Sequence, residues 1–424
     1  MAHMASPIFL FIYILTILLA STEMVALPVA ALIGASLTVF FGIHYGLFTY
    51  EEAVSFIDIK LLTLLVGMMI ISEIAERSGL FRIVALYAIK LAGGDPVKLF
   101  FSICYASAAV SLLLSDITAI MLIAAAVGTI SKIMNYNPTP YFISAAIMIN
   151  LGGTSTLIGS VSNMIIGASS GLSFSDFIGY MALCELALWF ITSIALYLYY
   201  KDQLGEKKEL LIYDPWEGIS DKTAAYKALF IISLLFLLLF FSDRWEIGPE
   251  AVALGCAVLA LALGGVDPSK VFRRLDWETI FIIGGFFIII GGVEKTGLLT
   301  QLSQYIFQVS GKDVTLAALF ILWSSGLISA VMSNITVALT FAPIIKGLPG
   351  LNTPATWTAL VFGTNLGGAA TPFSGAVCIL CLGALKREGV TLSFAEFTKI
   401  GVLTTLMQLS FSAGYLVLRF GLWG

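Results

Sequence analysis

The chain has 424 residues, 59% hydrophobic and 11% charged, with 22 Lys and Arg against 26 Asp and Glu and a formal net charge of −4. A soluble domain carries about 25% charged residues, so the composition excludes an ordinary water-soluble globule and points to lipid as the solvent. The small acidic excess is spread through loops and leaves no basic field, so no nucleic-acid partner is expected.

In chain order, the opening MAHMAS (1–6) reads as a tag remnant, with native sequence starting near Ser6. The apolar run that follows at 7–20 lacks a basic n-region and a small-residue cleavage site, so it reads as a first helix and not a signal peptide. Runs long enough to cross a bilayer follow at 24–43 and 60–76, and segment 80–93, with Arg82 and Lys90 among apolar residues, reads as an interfacial helix. The apolar stretches 96–134 and 140–168 are interrupted at their centres by small and polar residues, and 174–200 is again a simple crossing. A polar linker at 201–222 separates these from 224–241, 247–265 and 277–293. Two more interrupted stretches, 314–347 and 356–385, precede the final crossing at 394–418.

The two halves match at an offset of about 218 residues. Asp58, Gly67, Glu76, Gly79 and Leu80 recur as Asp276, Gly285, Glu294, Gly297 and Leu298. SLLLSDIT (111–118) recurs as SAVMSNIT (329–336), and Asn-Leu-Gly-Gly at 150–153 recurs at 365–368. The expected fold is an all-α polytopic membrane protein with two inverted-topology repeats of five transmembrane helices, each with a re-entrant hairpin and a broken helix. Repeat 1 spans 7–200 (hairpin 96–134, broken helix 140–168) and repeat 2 spans 223–424 (hairpin 314–347, broken helix 356–385).

That topology sorts the basic residues. Of the 22, only Lys60, Arg244, Lys295, Lys312, Lys346 and Arg419 fall on one side. The positive-inside rule then makes the richer side cytoplasmic. The expectation is a multi-pass cell-membrane protein with both termini outside and the 201–222 linker in the cytoplasm.

Broken helices survive at membrane depth only inside protein or beside a polar cavity. The candidate substrate and ion site is therefore built from the hairpin tips, Ser115, Asp116 and Thr118 with Ser333, Asn334 and Thr336, and from the breaks. These contribute Asn150, Gly152, Gly153, Thr154, Ser155, Thr156 and Asn163 in the first half, and Asn365, Gly367, Gly368, Thr371 and Ser374 in the second. Unwound carbonyls and hydroxyls can replace a cation's water, and freed helix N-termini can face an anion. Asp116 is the one carboxylate among the tips and breaks and is mated with Asn334, so it is the candidate for coupling to a proton or sodium. The alternative is that it caps the returning helix. A sodium ion would be held at Ser115, Asp116, Ser333 and Asn334, and no other cofactor is expected.

Glu185, within an apolar helix, reads either as a proton relay or as a structural hydrogen-bond partner. Glu76 and Glu294, beside Arg77 and Lys295, read as solvated pairs, and Cys378 and Cys381 as packing residues. No H-E-x-x-H or GxSxG occurs, and the histidines are His3 and His44, so the chain is not read as an enzyme.

Two hairpin tips paired with two glycine-rich broken helices resemble the ion transporter superfamily, which includes arsenite efflux permeases, the melanosomal P protein, sodium/proton antiporters and divalent anion/sodium symporters. IDIKLLTLLVGMMI (57–70) and GGTSTLIG (152–159) look like the P protein branch. Ser115-Asp116, VMSNITV (331–337) and the LG-x-x-x-TP element at 366–372 look like the arsenite permeases, and Ser-Asn-Ile-Thr is similar to the Ser-Asn-Thr signature of the dicarboxylate symporters. The resemblance implies a fixed scaffold, a moving transport part, alternating access, a homodimer contact and, for an arsenite pump, an ATPase subunit. Three transport readings follow: arsenite or antimonite efflux coupled to protons first, then sodium-coupled uptake of a dicarboxylate-type anion, then sodium/proton antiport.

Overall fold

The computed structural model describes residues 2–21, 25–114, 116–208, 215–218, 221–309, 313–347, 350–372, 374–387, 389–390 and 392–421, and among them it is helical with no strand. The first half holds α1 (Ala2–Ser21), α2 (Leu27–His44), α3 (Tyr50–Ser55), α4 (Ile59–Arg77), α5 (Leu80–Ala92), α6 (Pro96–Ser111), α7 (Asp116–Met134), α8 (Thr139–Gly152), α9 (Val161–Ser170) and α10 (Phe174–Tyr200). The second half holds α11 (Lys222–Phe241), α12 (Pro249–Leu263), α13 (Pro268–Phe272), α14 (Trp277–Lys295), α15 (Leu298–Val309), α16 (Val314–Ser329), α17 (Asn334–Lys346), α18 (Pro354–Gly367), α19 (Ala376–Arg387) and α20 (Phe394–Leu416). By length and apolarity α2, α10, α11, α14 and α20 each qualify as membrane crossings, and α1, α6, α7, α12, α16 and α17 are shorter apolar helices. Outward side chains such as Phe11, Phe40, Phe190, Phe230 and Leu403 are exposed on these helices, as expected where the solvent is hydrocarbon.

Helix starts are set by matched caps. Asp58 accepts from Leu61 N–H at 3.0 Å and its mate Asp276 from Thr279 N–H at 3.1 Å. Asp95 and Asp313 open α6 and α16 by accepting from the N–H groups of the second and third residues of each helix, at 2.7–3.1 Å. Ser173 with Asp176 and Ser393 with Glu396 form capping boxes on α10 and α20. Each cap satisfies N–H groups that have no partner within the helix.

Packing pairs helices across the halves. α4 lies on α12 and α14 lies on α2. At those crossings a Cβ on Gly67 would come 2.8 Å from the Ala253 backbone, and one on its mate Gly285 would come 2.9 Å from that of Ala31. Lipid tails are as apolar as Leu, so helices in a membrane gain by close van der Waals approach, which small residues permit. The hairpins use the same device. Gly152 of α8 sits against Ala108 of α6, and Gly367 of α18 against Gly326 of α16. Thus each hairpin's ascending helix is pressed onto the first part of the broken helix that follows it.

The two ends of the first hairpin meet at one face, where the Tyr136 hydroxyl, just after α7, donates to the Gly94 carbonyl, just before α6, at 2.8 Å. α5 buries Phe81, Ala85, Ala88 and Ile89 and exposes Arg82, Lys90 and Leu91, an amphipathic division suited to an interface.

Gly152→Ala would place a methyl 2.3 Å from the Ala108 carbonyl oxygen, whereas a Cβ on Gly284 meets nothing within 4 Å. Overpacking against backbone costs about 1–3 kcal/mol. Thermal unfolding in detergent should show a lowered midpoint for Gly152→Ala and an unchanged or raised one for Gly284→Ala.

Candidate functional site: a cavity between the hairpins and the broken helices

Each broken helix is unwound for five to eight residues, and its backbone groups find partners inside the protein. After Gly152 the chain makes one 3-10 turn (Gly153–Ser155), then runs extended at Thr156 and Ser160 before α9 begins. Asn163 closes this break. Its Nδ2 donates to the carbonyls of Gly153 and Thr156 at 2.8 Å each and lies 3.3 Å from that of Thr154. Its Oδ1 accepts from Asn365 Nδ2 at 2.7 Å, and Asn365 Oδ1 accepts from Ser162 at 3.2 Å. In the second break the Ser374 hydroxyl lies 2.8 Å from the Gly368 carbonyl and 2.6 Å from that of Thr371.

The breaks are tied to the hairpins by four hydroxyls in matched positions. Ser111 donates to the Ile149 carbonyl at 2.7 Å and Thr156 to that of Leu112 at 3.1 Å. Ser329 donates to the Thr364 carbonyl at 2.6 Å and Thr371 to that of Ala330 at 2.7 Å. These bonds meet a strict need, because an unpaired buried carbonyl costs about as much as a lost hydrogen bond.

Between these parts lies a cavity of about 590 Å³. Leu113 and Thr118 of the first hairpin line it, with Ser333, Asn334 and Ile335 of the second. The breaks contribute Asn150, Ile158, Gly159, Ser160, Val161, Ser374, Gly375 and Val377, and α4 contributes Leu65, Met68, Met69 and Ser72. Its exposed end carries Glu76, Arg274, Asp276 and Glu278, and buried Glu73 lies 3.8 Å from Arg274. Helices α9 and α17 start at the cavity wall, and neither Ser160 nor Ser333 caps its helix through the side chain. α7 and α19 also begin beside it, through Thr118 and Val377.

A second cavity, of about 380 Å³, is lined by Phe56, Asp58, Phe287, Ile290, Gly291 and Glu294. These six match Arg274, Asp276, Met69, Ser72, Glu73 and Glu76 of the first cavity at the 218-residue offset. It reaches Ile165 and Ser169 of α9 and Pro343 and Lys346 of α17, and none of the tip or break residues.

Of the residues expected to form the site, Thr118, Asn150, Ser333, Asn334 and Ser374 line the larger cavity. Gly152, Gly153, Thr154, Ser155, Thr156, Thr336, Asn163, Asn365, Gly367, Gly368 and Thr371 are not in its wall. The two glycines Gly152 and Gly367 serve close packing, and the polar residues Asn163, Asn365, Thr156 and Thr371 hold the breaks together. Ser115 lies outside the described residues, as does the side chain of Asp116, whose backbone opens α7.

Glu76 and Glu294 are not in the neighbouring ion pairs expected for them. Arg77 bonds Glu73 at 2.5 Å and the Lys270 carbonyl at 3.1 Å, and Lys295 lies 3.8 Å from Glu52. Consecutive residues point apart around a helix, whereas residues four apart share a face. Both glutamates instead line the cavities. Cys378 and Cys381 are buried, the first 3.8 Å from the Gly368 carbonyl and the second 3.3 Å from that of Phe142. Sequence reasoning passed over Ser72, Glu73 and Ser160; only Ser160, inside the 152–163 break, carried a signal.

The family CitMHS, citrate transporter, matches residues 15–361. An uncharacterized transporter of Mycobacterium tuberculosis is 30% identical over 382 residues, covering 87% of this chain and 88% of that protein. The magnetosome protein MamN of Magnetospirillum gryphiswaldense is 27% identical over 357 residues, covering 82% and 80%. The solved YdaH transporter of Alcanivorax borkumensis superposes with a TM-score of 0.68 over 90% of this chain and 89% of that one, at 14% identity, a likeness of fold alone. By this family match and these relatives the multi-pass helical membrane protein is a transporter and not an enzyme, and the chain belongs to the citrate transporter family.

Proposed function

We propose that this protein is a secondary transporter of a small carboxylate-bearing anion, citrate or a near relative, working by alternating access between two inverted repeats. The observation that carries the substrate class is the meeting of four helix N-termini at the larger cavity, two of them without a side-chain cap. A helix N-terminus carries about half a positive charge, and those of α9 and α17 have no side-chain cap, so an anion is held without a cationic side chain at the tips or breaks. The family match agrees in naming citrate. Arsenite, an uncharged acid at pH 7, would draw less from that arrangement, and so it becomes the second reading.

The matched cavities support the inverted-repeat mechanism. The larger one opens on the side that the basic residues mark as cytoplasmic, reaches the site, and carries Asp276 and Glu76. The smaller one carries their mates Asp58 and Glu294 and stops short of the site. That is the pattern of an inward-facing state whose outward route is closed between α9 and α17. Asp116, at the first tip, is the proposed coupling residue for a proton or sodium, with Ser333 and Asn334 across the cavity as oxygen donors. A dimer contact and, for an arsenite pump, an ATPase subunit remain properties of the proposal.

Three outcomes check this reading. Proteoliposomes offered citrate, succinate or arsenite across proton and sodium gradients should show saturable carboxylate uptake; arsenite-linked proton movement without carboxylate flux would overturn the substrate assignment. Asp116→Asn should abolish gradient-driven accumulation while the protein still elutes as folded. The five native cysteines are buried, so Glu76→Cys and Glu294→Cys can be labelled with a membrane-impermeant maleimide; they should react from opposite sides of the membrane, and labelling from one side would sink the inverted arrangement.

A further inference from the structure

Glu185 sits in the middle of α10 with 1% of its surface exposed. Its Oε1 accepts from Trp189 Nε1 at 3.0 Å, and its Oε2 has no partner at bonding geometry. Its other polar neighbour is Ser155, in the 3-10 turn of the first break. α10 packs on α6, α8, α11, α18, α20 and that turn. α8 and α18 carry no charged side chain, and those of α6, α11 and α20 (Lys98, Lys222, Lys227, Glu396, Lys399) lie in the first two turns. On α10 itself Asp176 lies in the first turn, in the capping box with Ser173, and the remaining titratable groups on α10 and these elements are thiols and phenols, Cys104, Tyr105, Tyr141, Tyr180, Cys184, Tyr197, Tyr199, Tyr200, Tyr226 and Tyr415, which ordinarily bear no charge at pH 7. An ionised carboxylate without a cation or a full set of donors is too costly to bury here.

The matching position in the second half shows that packing does not require an acid. Aligned on the two capping boxes, Glu185 corresponds to Thr405, whose hydroxyl donates to the Leu366 carbonyl beside the second break at 3.1 Å. One helix therefore braces its break with a neutral hydroxyl, the other with a carboxyl. A short polar seam continues from Glu185 between α10 and α20, where Gln408 Nε2 donates to Thr192 at 3.1 Å and Gln408 Oε1 is also unpartnered.

We propose that Glu185 is a proton-carrying residue of the transport cycle. It holds a proton while the first break lies against it, and releases that proton when movement of the break opens the seam to water. In balance, the O–H bond of the carboxyl breaks, the proton passes to water, and the carboxylate left behind is hydrated until the break returns. The role rests on the transport reading above and adds to it a group that sits behind the substrate cavity and not in its wall.

Glu185→Gln keeps the size and the acceptor for Trp189 but cannot exchange a proton. Infrared difference spectra should show a neutral carboxylic acid band in the wild type at pH 7 that is missing in the Glu185→Gln protein, whatever the substrate proves to be. In liposomes loaded with a pH-sensitive dye, the variant should keep substrate counterflow and lose at least tenfold in substrate-linked proton movement, while Glu185→Asp keeps coupling with a displaced pH profile. An unchanged acid band, or proton movement within twofold of the wild type, overturns the proposal while leaving the transport reading intact. A wild type that moves carboxylate without protons overturns it as well, and one that moves no carboxylate counts against the transport reading, with the acid band still reporting on Glu185.

Discussion

Inside a bilayer no water is available to complete the hydrogen bonds of an unwound helix, and this constraint governs the rest of the structure. Both broken helices meet it with side chains from within the protein. Asn163 serves two carbonyls of the first break at 2.8 Å, and Ser374 serves those of the second. The hydroxyls of Ser111, Thr156, Ser329 and Thr371 tie the breaks to the hairpins. Satisfying the carbonyls in this way leaves the N-terminal ends of α9 and α17 at the cavity wall without side-chain caps.

The same bonds make mechanical units. Each hairpin is joined to its broken helix by two hydroxyl bonds and by a glycine contact too close for a side chain, so the pair would move together. The Asn163–Asn365 contact then joins the two pairs across the centre. Against this stands the other set of crossings, α4 on α12 and α14 on α2, which interlocks the two halves through Gly67 and Gly285. Two tightly bonded groups with a cavity between them are what a transporter that exposes one site to two sides would need.

Departures from the internal match are informative because the scaffold is otherwise duplicated. Asp116 is mated with Asn334, Asn163 with Cys378, and Glu185 with Thr405. The second of these has a structural reading, since Asn150 approaches Cys378 at 3.9 Å much as Asn365 bonds Asn163 at 2.7 Å. The other two place an acid in the first half where the second half has a neutral side chain.

Most of the helices and the positions of the breaks were legible in the sequence, because apolar run length and paired glycines act locally and recur in both halves. The roles of the break residues were not. Gly152 and Gly367 read as part of the candidate site but serve contact with α6 and α16, and Asn163 and Asn365 read as ligands but hold each other. Glu76 read as the partner of Arg77, yet the helical turn sends Arg77 to Glu73. The sequence by itself determined a duplicated membrane protein with polar interruptions at depth, since hydropathy and repetition are properties of the chain. Only the tertiary structure decided which polar groups face the cavity and which face one another, because that depends on how side chains more than 200 residues apart meet once the helices are packed.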